Sequence, residues 1–424
     1  MRIIINYGTE NLKLDFPDDW DTALIRKKPM PVLDNAADAF AGALANPVGC
    51  SSLSELAREK KTACILICDI TRPVPNGIIL PLLVNTLLAA GLDRKNILIL
   101  VATGLHRPNE GEELREVVGD DWVFENITIQ NHFARNDQDH VDLGHTRLGT
   151  RVLLDKRLVE ADLRIVVGLV EPHFMAGFSG GRKLIMPGVA HERTITYLHN
   201  ARFMGDLRAC NGNLEGNPLH EQQLEIVRML GGVHAVNLVI DEHRRVAFVN
   251  FGEIIRSHLL AVEFIRPYVE VEVPHAFQTV LTSGGGYPLD KTYYQTVKGM
   301  VAAKDILAPG GELFIVSEIS EGMGSREYQE AQKNLVELGS ESFLHSIKDK
   351  PHAAIDAWQT QKQLEPMRKG KIFLYTSGLS PAERRLTGIQ MVKDLQAELV
   401  RSVASHKQLA VIPEGPYVMP FIAR

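Results

Sequence analysis

The segment from Glu171 to Lys183, EPHFMAGFSGGRK, places an acid, a histidine, three glycines and two cations in one short stretch. In GFSGGRK the glycines let the backbone approach an anion closely while Lys183 reaches in, which suits a phosphate-bearing ligand. A P-loop would need glycine where Arg182 stands and Ser or Thr where Leu184 stands, so nucleotide hydrolysis is disfavoured. A lysine in a partly desolvated site can lose its proton and become a nucleophile, so Lys183 reads equally as a covalent tether. A flexible loop carrying an exposed lysine is the plain alternative.

Of the fifteen histidines, two stand just after strand-like runs: His106 in VATGLHRP and His173 in GLVEPH. Two imidazoles on one ligand-facing edge make a general acid/base pair for work near neutral pH. His199 lies in HERTITYLHNARFM, read as one helix on which Ile195 and His199 share a face. A histidine on an apolar helix face is more often a satisfied core residue than a ligand, and residue types alone leave His199 there. The HExxH zinc signature fails because Ile195 stands where its second histidine belongs. His132, His140, His145, His191 and His220 read as surface residues. Further along, SGGGYPLDKTYYQTVKGM puts Tyr294, Gln295 and Lys298 within one helical turn. An amide and an ammonium presented together suit a carboxylate, and a solvated helix face is the alternative.

The elements that must position these groups are short Ile/Val/Leu runs at Ala63 to Cys68, Ile97 to Ala102, Leu163 to Val167, Thr279 to Thr282 and Leu313 to Val316. Helical patterns separate most of them, which is the alternation of mainly parallel sheets. Ligands in such sheets bind outside the carboxyl ends of the strands, where Asp69, Thr71, Arg72, His106, Glu171, His173, Tyr287 and Asp290 collect. At 424 residues the chain exceeds one compact core. The expected architecture is two α/β layered domains, residues 1–270 and 271–424, with the active site in the cleft between them. The boundary falls between Pro267 and Pro274, where the helical pattern Ile254 to Ile265 ends.

A composition of 45% hydrophobic and 23% charged residues leaves no room for a mainly disordered chain. The net charge of −6, without basic runs, argues against nucleic acid. MRIIINYGTENLKLDFPDD reads as a first strand, with no export signal. The run Ile78 to Leu92 is broken by Pro81 and Asn85 and falls short of the ~20 residues of a bilayer span, so it reads as a buried helix. Four cysteines without a CxxC pair suit a reduced, cytoplasmic protein.

Taken in order, DITRPVP, VATGLHRP, EPHFMAGFSGGRK, the TITYLHN helix and GGYPLDKTYYQTVKGM closely resemble the nickel-dependent lactate racemase family. The resemblance runs from about residue 45 to the GGYPLD region, and more loosely to the C-terminus. It implies two α/β domains and a nickel-pincer nucleotide, a pyridinium-3-thioamide-5-thiocarboxylic acid mononucleotide holding Ni(II). It implies that Lys183 carries this cofactor as a thioamide, that Gly180 and Gly181 let the backbone close around it, and that His199 completes the nickel coordination. A square-planar, soft-ligand site suits Ni(II). His106 and His173 match the catalytic pair, and Arg72, Gln295 and Lys298 match positions near the substrate carboxylate. Tyr294 matches a residue that shapes the pocket, Asp69 a supporting acid, and Trp358 an aromatic beside the cofactor. The implied reaction racemises a small 2-hydroxy acid by moving hydride from C2 to the cofactor ring and back through a 2-keto acid.

Lactate is the leading substrate, with malate or an aldonate as alternatives under the same mechanism. The resemblance also implies separate cofactor-making enzymes as partners, and an oligomer is possible. Two other classes stay open on residues alone. One is a pyridoxal phosphate enzyme with Lys183 as the Schiff base; the other is a non-catalytic phosphometabolite-binding protein. A nicotinamide dehydrogenase ranks lower, for no GxGxxG follows a strand.

Overall fold

The protein is described by a computed structural model over residues 1–422. Two six-stranded sheets, each flanked by helices, form two α/β layers. The first runs Val246–Glu253, Val233–Ile240, Leu163–Leu169, Ala63–Cys68, Ile97–Ala102, Thr128–Asn131. Its pairings are parallel except at the edge, where Val246–Glu253 turns back against Val233–Ile240. Strands buried on both faces explain the near-continuous apolar runs, such as ACILIC at Ala63–Cys68.

Chain order reverses direction at Ala63–Cys68: the next two strands build outward on one side, and Leu163–Leu169 pairs on the other. Such a switch point opens a crevice at the strand carboxyl ends. The residues leaving it are Asp69, Thr71 and Arg72 from one strand, and Glu171 and His173 from its neighbour. The apolar run near residue 80 forms the helix Asn76–Ala89, with Pro81 inside its first turns and Leu80, Leu83, Val84 and Leu87 fully buried.

The second sheet is wholly parallel, in the order Gln390–Val392, Gly370–Tyr375, Leu307–Val316, Phe277–Ser283, Gln408–Ile412, Asp21–Leu24. Its last strand corrects the expected division at 1–270. Asp21–Leu24 pairs with Gln408–Val411, and Ile3, Ile5, Phe16 and Trp20 pack with Leu281, Phe314 and Val411 of this layer. The chain returns to the first layer only near Lys28 and Leu33, whose amides bond Tyr268 and Val246. The cause is non-local: Gln408–Ile412 needs a partner on its open edge, and the N-terminal strand supplies it. A chain lacking residues 1–25 should therefore lose second-layer stability, because each of the four buried side chains contributes ~1.5–3 kcal/mol. Thermal unfolding reads this directly, and an unchanged melting profile would return those residues to the first layer.

The helix Ile254–Val269 carries Pro267 inside it and outruns the expected end at Ile265 by one turn. Among the described residues no helix is long and apolar enough to cross a membrane. The helix Tyr293–Ala303 ties the layers together, since its Val297 and Val301 share one apolar cluster with Leu184, Ile185, Ile195 and Leu198 of the first layer.

Candidate active site

One cavity in the seam is lined by Asp69, Arg72, His106, His173, Gly180, Lys183 and His199 from the first layer and by Tyr294, Lys298 and Trp358 from the second. Ten of the twelve expected site residues thus meet in one place, although they come from segments nearly 290 residues apart. Two do not face it. Gly181, at φ +49, lies under the loop, where a Cβ would sit 3.1 Å from His258. Gln295 is buried next to the cavity-lining Tyr294, and its Oε1 has no partner among the described residues.

The two switch-point strands are joined by an ion pair, Arg72 Nε to Glu171 Oε1 at 2.9 Å. Asp69 accepts from Thr71 through Oδ1 and meets His106 Nδ1 through Oδ2 at 2.6 Å. Burial opposes ionisation of Asp69, but the His106 ring and Thr71 outweigh it and hold its carboxyl down to about 2. The carboxylate only accepts, so the hydrogen in this contact sits on His106 Nδ1, and whenever the ring is neutral its lone pair is on Nε2.

His173 is held the other way round. The chain turns tightly from His173 to Gly177, and the amides of Met175 and Ala176 donate to its Nδ1 at 3.3 and 3.2 Å. Gly177 is required in that turn, for φ is +76 and a Cβ would lie 2.3 Å from the Asn213 carbonyl. Burial, followed by Lys183, Lys298 and Arg72, pushes the His173 imidazole well below its ordinary value.

Lys183 rides the 3₁₀ turn Gly181–Leu184, entered through Gly180 at φ +78. Burial and the neighbouring Arg182 and Arg72 lower its ammonium to about 7. Amine-reactive labelling of Lys183 should therefore switch on with a midpoint near 7, whereas exposed lysines follow their ordinary value of about 10.4. Peptide mass spectrometry across pH checks this, and labelling that tracks the exposed lysines would remove the neutral amine.

Arg182, the cation beside Lys183 in the sequence, turns inward. It is almost fully buried, donating to the carbonyls of Ala176 and Phe178 at 2.9 and 3.0 Å and meeting His258. Its guanidinium fastens the glycine loop to the turn that carries His173.

His199 departs from the expected continuous helix. The helix stops at Leu198, His199 takes the C-cap at φ −103 and ψ 15, and Asn200 caps a separate short helix by accepting from Phe203. His199 Nδ1 donates to the Ile195 carbonyl at 2.8 Å, leaving Nε2 as the free ring nitrogen. Burial lowers this imidazole to about 4, so the ring is neutral at physiological pH. The Trp358 ring lies 4.7 Å from that of His199, and its indole N–H donates to the Tyr294 hydroxyl at 3.0 Å.

Asp356 also lines the cavity and was not singled out from the sequence. It sits at φ +61 and accepts from Ser325 at 2.5 Å instead of capping the helix it precedes. DAWQT contains it two residues before Trp358, yet nothing local distinguishes it from an N-cap. Three histidines expected on the surface are buried as well. His132 bonds Asp155, His191 caps the helix leading to His199, and His220 packs under the loop, each carried inside by a polar partner or a crowded helix face.

Fold and site together define a two-layer α/β enzyme that works in the seam between parallel sheets. The chain matches the lactate racemase N-terminal domain over residues 7–212 and the lactate racemase C-terminal domain over residues 274–419. It is 32% identical over 433 residues to the lactate racemase of Thermoanaerobacterium thermosaccharolyticum, covering 99% of each chain. It is 32% identical over 378 residues to that of Lactiplantibacillus plantarum, covering 88% of each. The solved apoprotein of the former superposes with a TM-score of 0.90 over 99% of this chain and all of its own. A Thermotoga maritima protein, 18% identical with a TM-score of 0.73 over 92% of this chain and 98% of its own, shares the fold. The chain belongs to the lactate racemase family, and it is an isomerase of the racemase kind.

Proposed function

We propose that this enzyme interconverts the enantiomers of a small 2-hydroxy acid, lactate first, using a nickel-pincer nucleotide held covalently by Lys183. The observation that carries the reading is the single cavity in which a desolvated lysine, a backbone-anchored neutral histidine and two further histidines stand beside Arg72 and Lys298. Both relatives named above are lactate racemases, which favours lactate over malate or an aldonate.

The residues present suit the cofactor. Lys183 is poised as a neutral nucleophile, and the free Nε2 of His199, with Nδ1 fixed by a carbonyl, is the arrangement of a metal-ligating histidine. Among the described residues no cluster of three or more His, Cys, Asp or Glu could hold a metal ion. Trp358 would flank the group, and Gly180 would let the loop approach its ring. Once bound, the cofactor supplies an acceptor for the C2 hydride.

The chain's own residues bind, orient and move protons. Arg72 and Lys298 take the substrate carboxylate; burial, with Arg72 the next cause, sets the Lys298 ammonium well below its usual value, and an incoming carboxylate restores its charge. His106 Nε2, backed by Asp69, faces the hydroxyl from one side and His173 from the other. His173 and Lys298 are buried while the His106 side chain is 42% exposed, so the cavity is sheltered on the His173 side and open to solvent beside His106.

Enantiopure 2-hydroxy acids offered to cofactor-loaded enzyme in deuterated buffer test the reading. Lactate should lose optical purity while keeping its C2 hydrogen. Deuterium washing into C2 would replace hydride transfer by proton abstraction, and no change in any acid would end the racemase reading.

A further inference from the structure

We infer that His132 is a positioning residue: a buried imidazole with hydrogen on both nitrogens, it fastens the joint at Ala190 between Lys183 and His199 and so fixes how far apart those two stand. Its meaning for catalysis rests on the proposed function, in which both residues hold one cofactor. Its geometry does not.

His132 follows the edge strand Thr128–Asn131, and its side chain is fully buried. Each ring nitrogen meets an oxygen, Nδ1 the Asp155 carboxylate at 2.9 Å and Nε2 the Ala190 carbonyl at 3.1 Å. A carbonyl and an ionised carboxylate only accept, so both nitrogens donate and the ring carries a positive charge. Burial opposes ionisation of Asp155, but Arg157, which bonds both of its oxygens, and then His132 outweigh it and hold the carboxyl well below its usual range.

The remaining groups around the ring bring no competing charge against it. His140 lies edge to face at 5.2 Å, donates from Nδ1 to the Asn136 carbonyl, and is kept neutral by burial. Beyond it, His191 accepts the Arg193 amide at Nδ1, so its hydrogen sits on Nε2 towards Asp137. The Cys64 thiol is pushed up to about 12 by burial and by Asp155, and Asp139 stands 3.7 Å from Lys156.

The position of Ala190 gives this contact its use. Downstream of the Lys183 turn, the Gly188 amide donates to the Lys183 carbonyl at 3.2 Å. The Val189 carbonyl and the His191 amide then bond the strand Arg151–Asp155, and His191 caps the helix Glu192–Leu198 that delivers His199. The strand therefore holds one side of the joint, and His132, through the Ala190 carbonyl, holds the other. Without its Nε2 hydrogen the ring would turn a lone pair on that carbonyl, and the contact would repel. Lys183 and His199 both line the cavity, and a cofactor attached to one and coordinated by the other fits a single separation. Arg72 and Lys298 are carried by other elements, so substrate binding does not depend on this joint.

Histidine-labelled ¹⁵N spectra of the full-length apo chain, assigned with His132→Gln, read the charge directly. At about pH 7.5, where an ordinary histidine is roughly nine-tenths neutral, both nitrogens of His132 should bear hydrogen, and Asp155→Asn should remove one. A single N–H on His132 in the unmodified chain overturns the inference. His132→Gln and His132→Phe made beside the cofactor-producing enzymes should hold several-fold less nickel and added mass per folded chain. Their kcat per loaded site should fall by about tenfold or more, with KM for lactate kept within about twofold. Full nickel and unchanged kcat, with only a lower melting temperature, would reduce His132 to a structural residue and overturn its positioning role. The unmodified loaded enzyme supplies the same test if the variants do not fold: it should release nickel above the pH at which the spectra show His132 losing a proton, and nickel retained through that loss overturns the role. Unmodified enzyme that gains neither mass nor nickel removes the proposed function, while the apo spectra still decide the charge on His132.

Discussion

Replacing Lys183 by methionine in cells that also make the cofactor should yield a folded protein with no added mass, no bound nickel and no racemisation of lactate. The amine is the attachment point in the proposed chemistry, and a thioether of similar length fills its space without the nitrogen, so the loss should exceed ~10⁴-fold. The same substitution has an opposite effect on the apo fold. Lys183 titrates at about 7 when folded, against about 10.4 when unfolded. The unfolded chain therefore binds more protons between those values, and the lysine's penalty is full below about pH 7 and gone above about pH 10. Lys183→Met should thus raise apo stability by roughly 1–3 kcal/mol at neutral pH and by nothing near the upper limit. Thermal unfolding at several pH values, with intact-mass and metal analysis, checks both halves. A variant that still gains the cofactor's mass would move the tether elsewhere.

Asp69→Asn is expected to lower kcat by ~10³–10⁴ with little change in KM, because an amide facing His106 Nδ1 can supply a hydrogen and reverse the tautomer. The shape of the site is kept, since Thr71 can still be met by the remaining oxygen. Only the lone pair on Nε2 is lost, and with it the base. Kinetics on loaded enzyme, together with the histidine spectra of the apo variant, separate this from a folding defect. Activity within tenfold of the unmodified enzyme would take Asp69 out of proton transfer.

Much of the first layer could be read directly. Apolar runs such as Ile97–Ala102 declare buried strands by composition, and the ionisable residues that follow them declare the ligand edge. The helix carrying His199 was legible only as a helix. Its end at Leu198 depends on Asn200 capping a new turn, a local competition that periodicity does not register. The burial of His132, His191 and His220 likewise depends on partners far along the chain, Asp155 and Asp137 for the first two.

The sequence by itself determined which chemical groups exist and the order in which they leave the strands. From Asp69 to Lys183 it also determined that they stand on one edge of one sheet, because the strands that precede them, Ala63–Cys68, Ile97–Ala102 and Leu163–Leu169, run parallel. Tertiary structure decided the rest. It sent the first 25 residues to the second sheet, since an open strand edge recruits whatever strand can reach it. It turned Arg182 inward and left Lys183 in the cavity, a choice made by where Ala176, Phe178 and His258 lie. It also set the protonation of the site. Whether Lys183 is an ammonium or an amine, and which nitrogen of His106 and of His173 bears hydrogen, follows from burial and from the groups each atom meets, and those are properties of the fold.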